Sequence, residues 1–308
     1  MGAVRLRIIC GPTAAGKSDI ALDLAARYGA SIVSADSRQV FKGFDIGTAK
    51  PSVEERGRVP HYGIDVVEPD ARYSAAGWAA DAERWIGDVT GKQRVPLVVG
   101  GTGLYVKALI EPLFTAPELD PERRAALAEN LASYSLADLR RWCCQLDPAR
   151  AHLGRTQMLR AIETALLSGE RISDLHAAQR HDPGSNAARY TASYLVVDPG
   201  SALAARIGKR VDAMLGRGWQ DEVDSLAKAV PIDAPAWKAS GYRVMRSLVA
   251  GELSLSTARE RVIIETRQYA KRQRTWFRHQ LPSAAVTHVN PDDPALREVV
   301  REWWERAE

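Results

Sequence analysis

Residues 11–18 read Gly11-Pro12-Thr13-Ala14-Ala15-Gly16-Lys17-Ser18, a complete G-x-x-x-x-G-K-[ST] string, and nothing else in the chain narrows its fold as far. The flanks have the form this string requires. Val4 to Cys10 reads as a strand, and Asp19 to Tyr28 reads as a helix closed by Gly29. A glycine-rich loop between strand and helix aims successive backbone N–H groups at one point near a helix N-terminus. It therefore binds oxyanions, with Lys17 neutralising charge and the Ser18 hydroxyl reaching a Mg²⁺. An ordinary glycine-rich turn is the alternative, and the register of strand, loop and helix speaks against it. A phosphate or diphosphate is the expected ligand.

Strand and helix patterns keep alternating after the loop. Ala30 to Ala35 is a short apolar run ending at Asp36, followed by a loop-like stretch from Ser37 to Pro60. His61 to Val67 reads as a further strand, Tyr73 to Gly87 as a helix, and Val95 to Val99 as a buried strand ended by Gly100-Gly101. Thr102 is placed to cap the helix that follows. From Ala116 to Arg180 only amphipathic helical runs are legible, with breaks at Asp147-Pro148 and Ser168-Gly169. Tyr194 to Asp198 then returns to strand, and another strand is expected near Val286 to Asn290. The expected class is α/β, a P-loop NTPase-like parallel sheet core with an inserted all-helical domain. The expected boundaries are 1–115 and 186–308 for the core and 116–185 for the insert.

At 308 residues and 45% hydrophobic content, a globular core plus an insertion is the natural reading. No apolar run approaches a membrane span, and the N-terminus lacks a signal-peptide layout, so a cytoplasmic protein without a membrane partner is expected. Cys10, Cys143 and Cys144 are too few and wrongly spaced for a disulfide framework or a Cys-x-x-Cys zinc site. The net charge of +4 is mild, but its distribution is uneven. Arg267, Lys271, Arg272, Arg274 and Arg278 form an acid-free run that also holds Tyr269, Trp276 and Phe277. A single helix there could track phosphates and offer rings for stacking, or be a solvated basic face. The helical insert carries nine Arg and no Lys.

Asp36 falls at the carboxyl end of a strand expected to neighbour the P-loop strand, the edge where open parallel sheets bind ligands. It could be a Mg²⁺ ligand, a general base or a buried structural partner. Thr102, at the end of another core strand, faces the same crevice.

Several blocks together narrow these options. They are the P-loop, Asp36-Ser37-Arg38-Gln39 through Asp45-Ile46-Gly47-Thr48-Ala49-Lys50-Pro51, and Val99-Gly100-Gly101-Thr102-Gly103-Leu104-Tyr105. Tyr73-Ser74-Ala75-Ala76, Arg206-Ile207 with Arg210-Val211-Asp212, Gly241-Tyr242-Arg243 and Thr266 to Gln273 complete the set. In this order the chain resembles the tRNA dimethylallyltransferase (tRNA isopentenyltransferase) family. The resemblance implies transfer of a dimethylallyl group from dimethylallyl diphosphate to N6 of the adenosine 3′ of the anticodon, position 37, in tRNAs reading UNN codons. It implies Asp36 as general base with Thr102 beside it, and Arg210 on the diphosphate. It implies a Mg²⁺ at Ser18 and a monomer gripping the tRNA anticodon stem-loop. The family is often labelled ATP-binding, but for this chemistry the loop is better assigned to the prenyl donor. Carried over position by position, the tRNA-facing residues are Asp36, Ser37, Arg38, Gln39, Thr102, Arg124, Thr156, Gln157, Met158, Leu159, Arg160, Lys238, Ala239, Ser240, Gly241, Tyr242, Arg243, Lys271 and Arg272.

Some positions depart from the family pattern. Ala15 stands where Ser is common and Phe41 where Tyr is usual. Gly154 and Gln157 stand where Asp and Arg are common, leaving Arg160 alone of that segment. Two other readings compete. A P-loop small-molecule kinase or NTPase acting on RNA would show a Walker-B-like Asp after an apolar strand, whereas Val95–Val99 runs into Gly-Gly-Thr. An RNA-binding module with a degenerate loop conflicts with intact Lys17 and Ser18.

Overall fold

The computed structural model describes residues 4–111, 117–181 and 190–306. Six parallel strands form one sheet: β1 (Val4–Cys10), β2 (Ala30–Ser34), β3 (His61–Tyr62), β4 (Val95–Gly100), β5 (Tyr190–Val197) and β6 (Val286–Val289). Their order is β3-β2-β4-β1-β5-β6. The P-loop strand β1 is central, with Ile8 opposite Val98 of β4 on one side and Tyr194 of β5 on the other. β2 pairs with β4, so the strand that ends at Asp36 is one place removed from β1 rather than its neighbour. A two-residue β3 replaces the longer His61–Val67 strand expected, and Val67 instead forms an isolated bridge to Phe41. Asp65 within that run takes a left-handed backbone (φ 55), which no strand accommodates.

The all-buried burial of β2 and the near-complete burial of β4 follow from a sheet with helices on both faces. α1 (Lys17–Tyr28) buries Ile20, Ala21, Leu24 and Ala25, and Gly29 closes it in the left-handed conformation (φ 65). This core gathers Ile9, Leu97, Leu195 and Val197 with Trp303 and Trp304 of α13 (Leu296–Arg306). Trp304 stacks on Tyr28 at 4.8 Å and also meets the Arg7 guanidinium at 4.5 Å.

The stretch expected as loop from Ser37 to Pro60 contains α2 (Val53–Arg58), started by a capping box between Ser52 and Glu55. α3 (Ala75–Gly91) is capped by Ser74, and α4 (Gly103–Ile110) follows β4. After β5 come α9 (Leu203–Gly216), α10 (Trp219–Ala229), α11 (Tyr242–Val249) and the 26-residue α12 (Leu255–Gln280).

The chain divides into two compact units, Met1–Ile110 with Arg189–Glu308, and Glu111–Ala188. Among the described residues the second unit contains α5 (Pro121–Ala132), α6 (Leu136–Leu146), α7 (Arg155–Ser168) and α8 (Ile172–His181), with no strand. Leu131, Leu139, Cys143, Met158, Ala161 and Ile162 form its core.

Candidate functional site

Gly11 opens the loop at φ 140, and a Cβ there would lie 2.2 Å from the Val197 carbonyl oxygen, so only glycine fits against β5. Ala14 turns into the left-handed region at φ 63, and Gly16 enters α1 at φ 92. Lys17 Nζ donates to the Pro12 carbonyl at 2.7 Å, folding the ammonium over the loop. Burial, and then the Arg210 guanidinium, hold its pKa down to about 8 against the opposing charge of Asp36. Burial likewise lowers Arg210, which Asp36 opposes. Two cations and one carboxylate, all half-buried, thus share one corner.

Around this corner lies a cavity of about 950 Å³, built entirely within the first unit. Of the sequence-expected site residues, Thr13, Ala14, Ala15, Gly16, Lys17, Ser18, Asp36, Arg38, Gln39, Lys238, Ala239, Ser240, Arg210, Arg243 and Arg272 line it. The P-loop, the Asp36 turn and the segments after α10 and on α12 are therefore brought to one chamber. Asp36 Oδ1 accepts from the Arg38 N–H at 2.9 Å. Tyr105 and Tyr269 feel its charge, though burial is the larger cause that raises both phenols, Tyr269 to about 12.

Thr102 sits where α4 begins, but its hydroxyl does not cap that helix. It accepts from the Ser37 N–H at 2.9 Å and donates to Ser37 Oγ at 3.3 Å. Thr102 is half-buried beside Gly101, which lines the cavity, and its hydroxyl holds the Asp36-Ser37 turn.

Tyr242 and Met158, also expected at the site, are taken up in the protein's own packing. Tyr242 is fully buried; its hydroxyl donates to Glu222 at 2.6 Å and accepts from the Gly47 N–H at 3.1 Å. Gly241 (φ 84) leaves room for Trp219, whose ring would meet a Cβ at 2.6 Å. Met158 is fully buried in the second unit's core and presents no side chain to a ligand. Thr156, Gln157 and Arg160 are exposed on α7 and Leu159 is half-buried. Gln157 caps its own helix through the Gly154 N–H, and Arg124 donates to Glu163 at 3.0 Å.

The basic run lies on α12 as one helix. Arg267, Lys271, Arg272 and Arg278 are exposed, whereas Arg274 is tied to Asp198 and the Gly200 carbonyl. Its rings do not face outward for stacking. Tyr269 lines the cavity, Phe277 is buried, and Trp276 packs where a Cβ on Gly103 would be, 2.2 Å away.

Sequence reasoning missed Gln273 as a site residue. It is 6% exposed, accepts from the Thr13 N–H at 2.8 Å and donates to the Gly101 carbonyl at 2.9 Å. Its signals were an uncharged residue inside a basic run and its place at the end of the Thr266–Gln273 block. Arg217 and Trp219 also line the cavity and were not singled out.

A cation at this loop would be held by oxygen. Among the described residues no group of three or more His, Cys, Asp or Glu is placed to cage a metal. The Ser18 hydroxyl and the Asp36 carboxylate do line the same chamber. That donor set fits Mg²⁺, which takes few protein ligands and completes its shell with phosphate oxygens and water.

A protein-family model described as IPP transferase matches residues 39–280, and one described as isopentenyl transferase matches residues 4–59. A tRNA dimethylallyltransferase of Burkholderia orbicola is 42% identical over 294 residues, 93% of this chain and 91% of the relative. One from Anaeromyxobacter sp. is 40% identical over 312 residues, 96% of this chain and 100% of the relative. Among solved structures, the tRNA delta(2)-isopentenylpyrophosphate transferase of Staphylococcus epidermidis superposes with a TM-score of 0.68 at 32% identity, covering 98% of each chain. A eukaryotic dimethylallyltransferase crystallised acting on tRNA matches with a TM-score of 0.80 at 21% identity, over 99% of this chain and 80% of that one, a likeness of fold.

Proposed function

The chain belongs to the IPP transferase family, and from that membership we propose how its own residues carry out prenyl transfer to tRNA. The enzyme is a tRNA dimethylallyltransferase by its relatives over most of its length. Our finer reading is that dimethylallyl diphosphate is the donor and N6 of adenosine 37, beside the anticodon in tRNAs reading UNN codons, is the acceptor. One observation carries it: a single cavity joins an intact phosphate loop to Asp36 and to the basic α12.

In the reaction, the N6 lone pair forms a bond to C1 of the allyl group as the C1–O bond breaks. The diphosphate departs with the electron pair. Loop N–H groups, Lys17 and Arg210 receive the charge that develops on the leaving oxygens. Asp36 takes the proton that N6 loses, because the exocyclic amine is a weak nucleophile until its proton has somewhere to go. Thr102 steadies the turn that carries Asp36. The acceptor base leaves its stack to enter the chamber. A Mg²⁺ held by Ser18 and the diphosphate would supply further neutralisation of the leaving group. The exposed Lys271 and Arg272, with Arg38, Lys238 and Arg243, meet the phosphates of the anticodon stem-loop, and the enzyme works as a monomer.

The test is incubation with radiolabelled dimethylallyl diphosphate and unmodified tRNA, followed by nucleoside analysis. Label in N6-(dimethylallyl)adenosine at position 37 is expected. ATP hydrolysis at the pace of an NTPase, with no label in the RNA, would overturn the assignment of the loop to the prenyl donor.

A further inference from the structure

Gln273 of α12 bonds both to the phosphate loop and to the end of β4 that lies beside it. Its Oε1 accepts from Thr13, the residue immediately before the left-handed turn at Ala14. Its Nε2 donates to the Gly101 carbonyl, immediately before Thr102, whose hydroxyl fixes the turn carrying Asp36. The Thr13 N–H is thus committed to α12, and the loop enters its left-handed residue from a fixed point. Such strain persists only where neighbours over-determine it. The fit is close on the other side too, since a Cβ on Gly101 would lie 2.2 Å from Nε2.

We propose that Gln273 is a positioning residue that sets the spacing between the diphosphate cradle and the Asp36 edge, holding leaving group and base in register. This rests on the assignment of the loop to the prenyl donor. A carboxamide suits the task because it presents an acceptor and a donor at one end, matched to one backbone N–H and one backbone carbonyl. An ionised carboxylate could keep the Thr13 bond but would set a second oxygen against the Gly101 carbonyl. A protonated carboxyl restores both bonds, its O–H donating to Gly101 and its carbonyl accepting from Thr13.

The experiment compares steady-state prenyl transfer by the wild-type enzyme, Gln273→Met, Gln273→Glu and Lys17→Ala, with tRNA affinity measured separately. Gln273→Met should lower kcat about 10²-fold, the usual cost of misplacing reacting groups by an ångström, and raise the donor KM, with tRNA affinity unchanged. Gln273→Glu should show activity, relative to wild type, that falls as pH rises from about 5.5 to 8.5, as its buried carboxyl ionises. Wild-type kcat and donor KM in Gln273→Met, or a flat Gln273→Glu to wild-type ratio, overturns the proposal. Should Gln273→Met not fold, the Gln273→Glu pH profile decides alone. Failure of the underlying donor assignment reads differently, as a wild-type donor KM in Lys17→Ala.

Discussion

Lys17, proposed above to receive the leaving group's charge, is also a residue whose own charge is held down by its surroundings. Its pKa near 8 comes first from burial and then from Arg210. A bound diphosphate adds negative charge and keeps the ammonium protonated, so binding is coupled to proton uptake once the free group has begun to lose its proton. Donor affinity should therefore be at its plateau below about pH 8 and weaken as pH rises above it. Titration calorimetry across that range should show the inflection, and Lys17→Ala should lose it together with most of the affinity. Asp36 makes a separate prediction. Asp36→Asn should slow single-turnover transfer by about 10²–10⁴ while donor and tRNA still bind. Loss of donor binding that extra Mg²⁺ restores would instead make Asp36 a metal ligand. These two residues were legible in sequence because their chemistry is local: a loop motif, and a carboxylate just past a strand. Thr102 was legible in place but not in partner. Nothing local announces that its hydroxyl will be taken by Ser37, 65 positions away.

At the scale of elements, α12 faces two ways. One side packs Tyr269, Ala270, Gln273 and Trp276 against Thr102, the loop and Gly103, while Arg267, Lys271, Arg272 and Arg278 stay exposed. Replacing Lys271 and Arg272 by Ala should weaken tRNA binding and reduce its salt dependence, by about 0.7–0.9 in log–log slope for each phosphate that is no longer neutralised. An unchanged slope would make this a solvated face. The packing side is tested by glycines. Gly103→Ala sets a methyl into the Trp276 ring and should cost about 1–3 kcal/mol in denaturant unfolding. Gly208→Ala, inside α9 with no atom within 4 Å of its Cβ, should instead stabilise by about 0.5–1 kcal/mol. The basic run foretold one helix and its charge. It could not foretell that the aromatic residues turn inward, because which side of a helix meets the protein is decided by distant glycines at 101 and 103.

For the whole molecule, the division of labour is uneven. Every residue lining the large cavity belongs to the first unit. Replacing residues 112–188 by a short Gly-Ser linker should therefore leave diphosphate affinity close to wild type while tRNA prenylation collapses, measured by calorimetry and by label transfer. Loss of both would show that the helical unit is needed to form the donor site. Within that unit, Met158→Ala should cost about 2–5 kcal/mol in stability, as expected of a core methionine, rather than acting on RNA alone. The alternation of strands and helices, and the helical stretch between them, could be read from periodicity. Strand order could not. β4 inserts between β1 and β2, a pairing of segments far apart in sequence that no local pattern encodes.

The pairing of β1 with β5, Val4 opposite Tyr190, also sets a clock on synthesis. A ribosome adding about 5–20 residues per second exposes one edge of the P-loop strand for roughly ten seconds or more before its partner emerges. The loop's own supports arrive later still, Val197 against Gly11 and then Gln273 against Thr13. A motif written near the start of the chain thus becomes a working cradle only when most of the chain has been made. Nascent chains stalled before Gln273 should be unable to retain a diphosphate, and slower translation should favour chaperone capture over premature use of the donor.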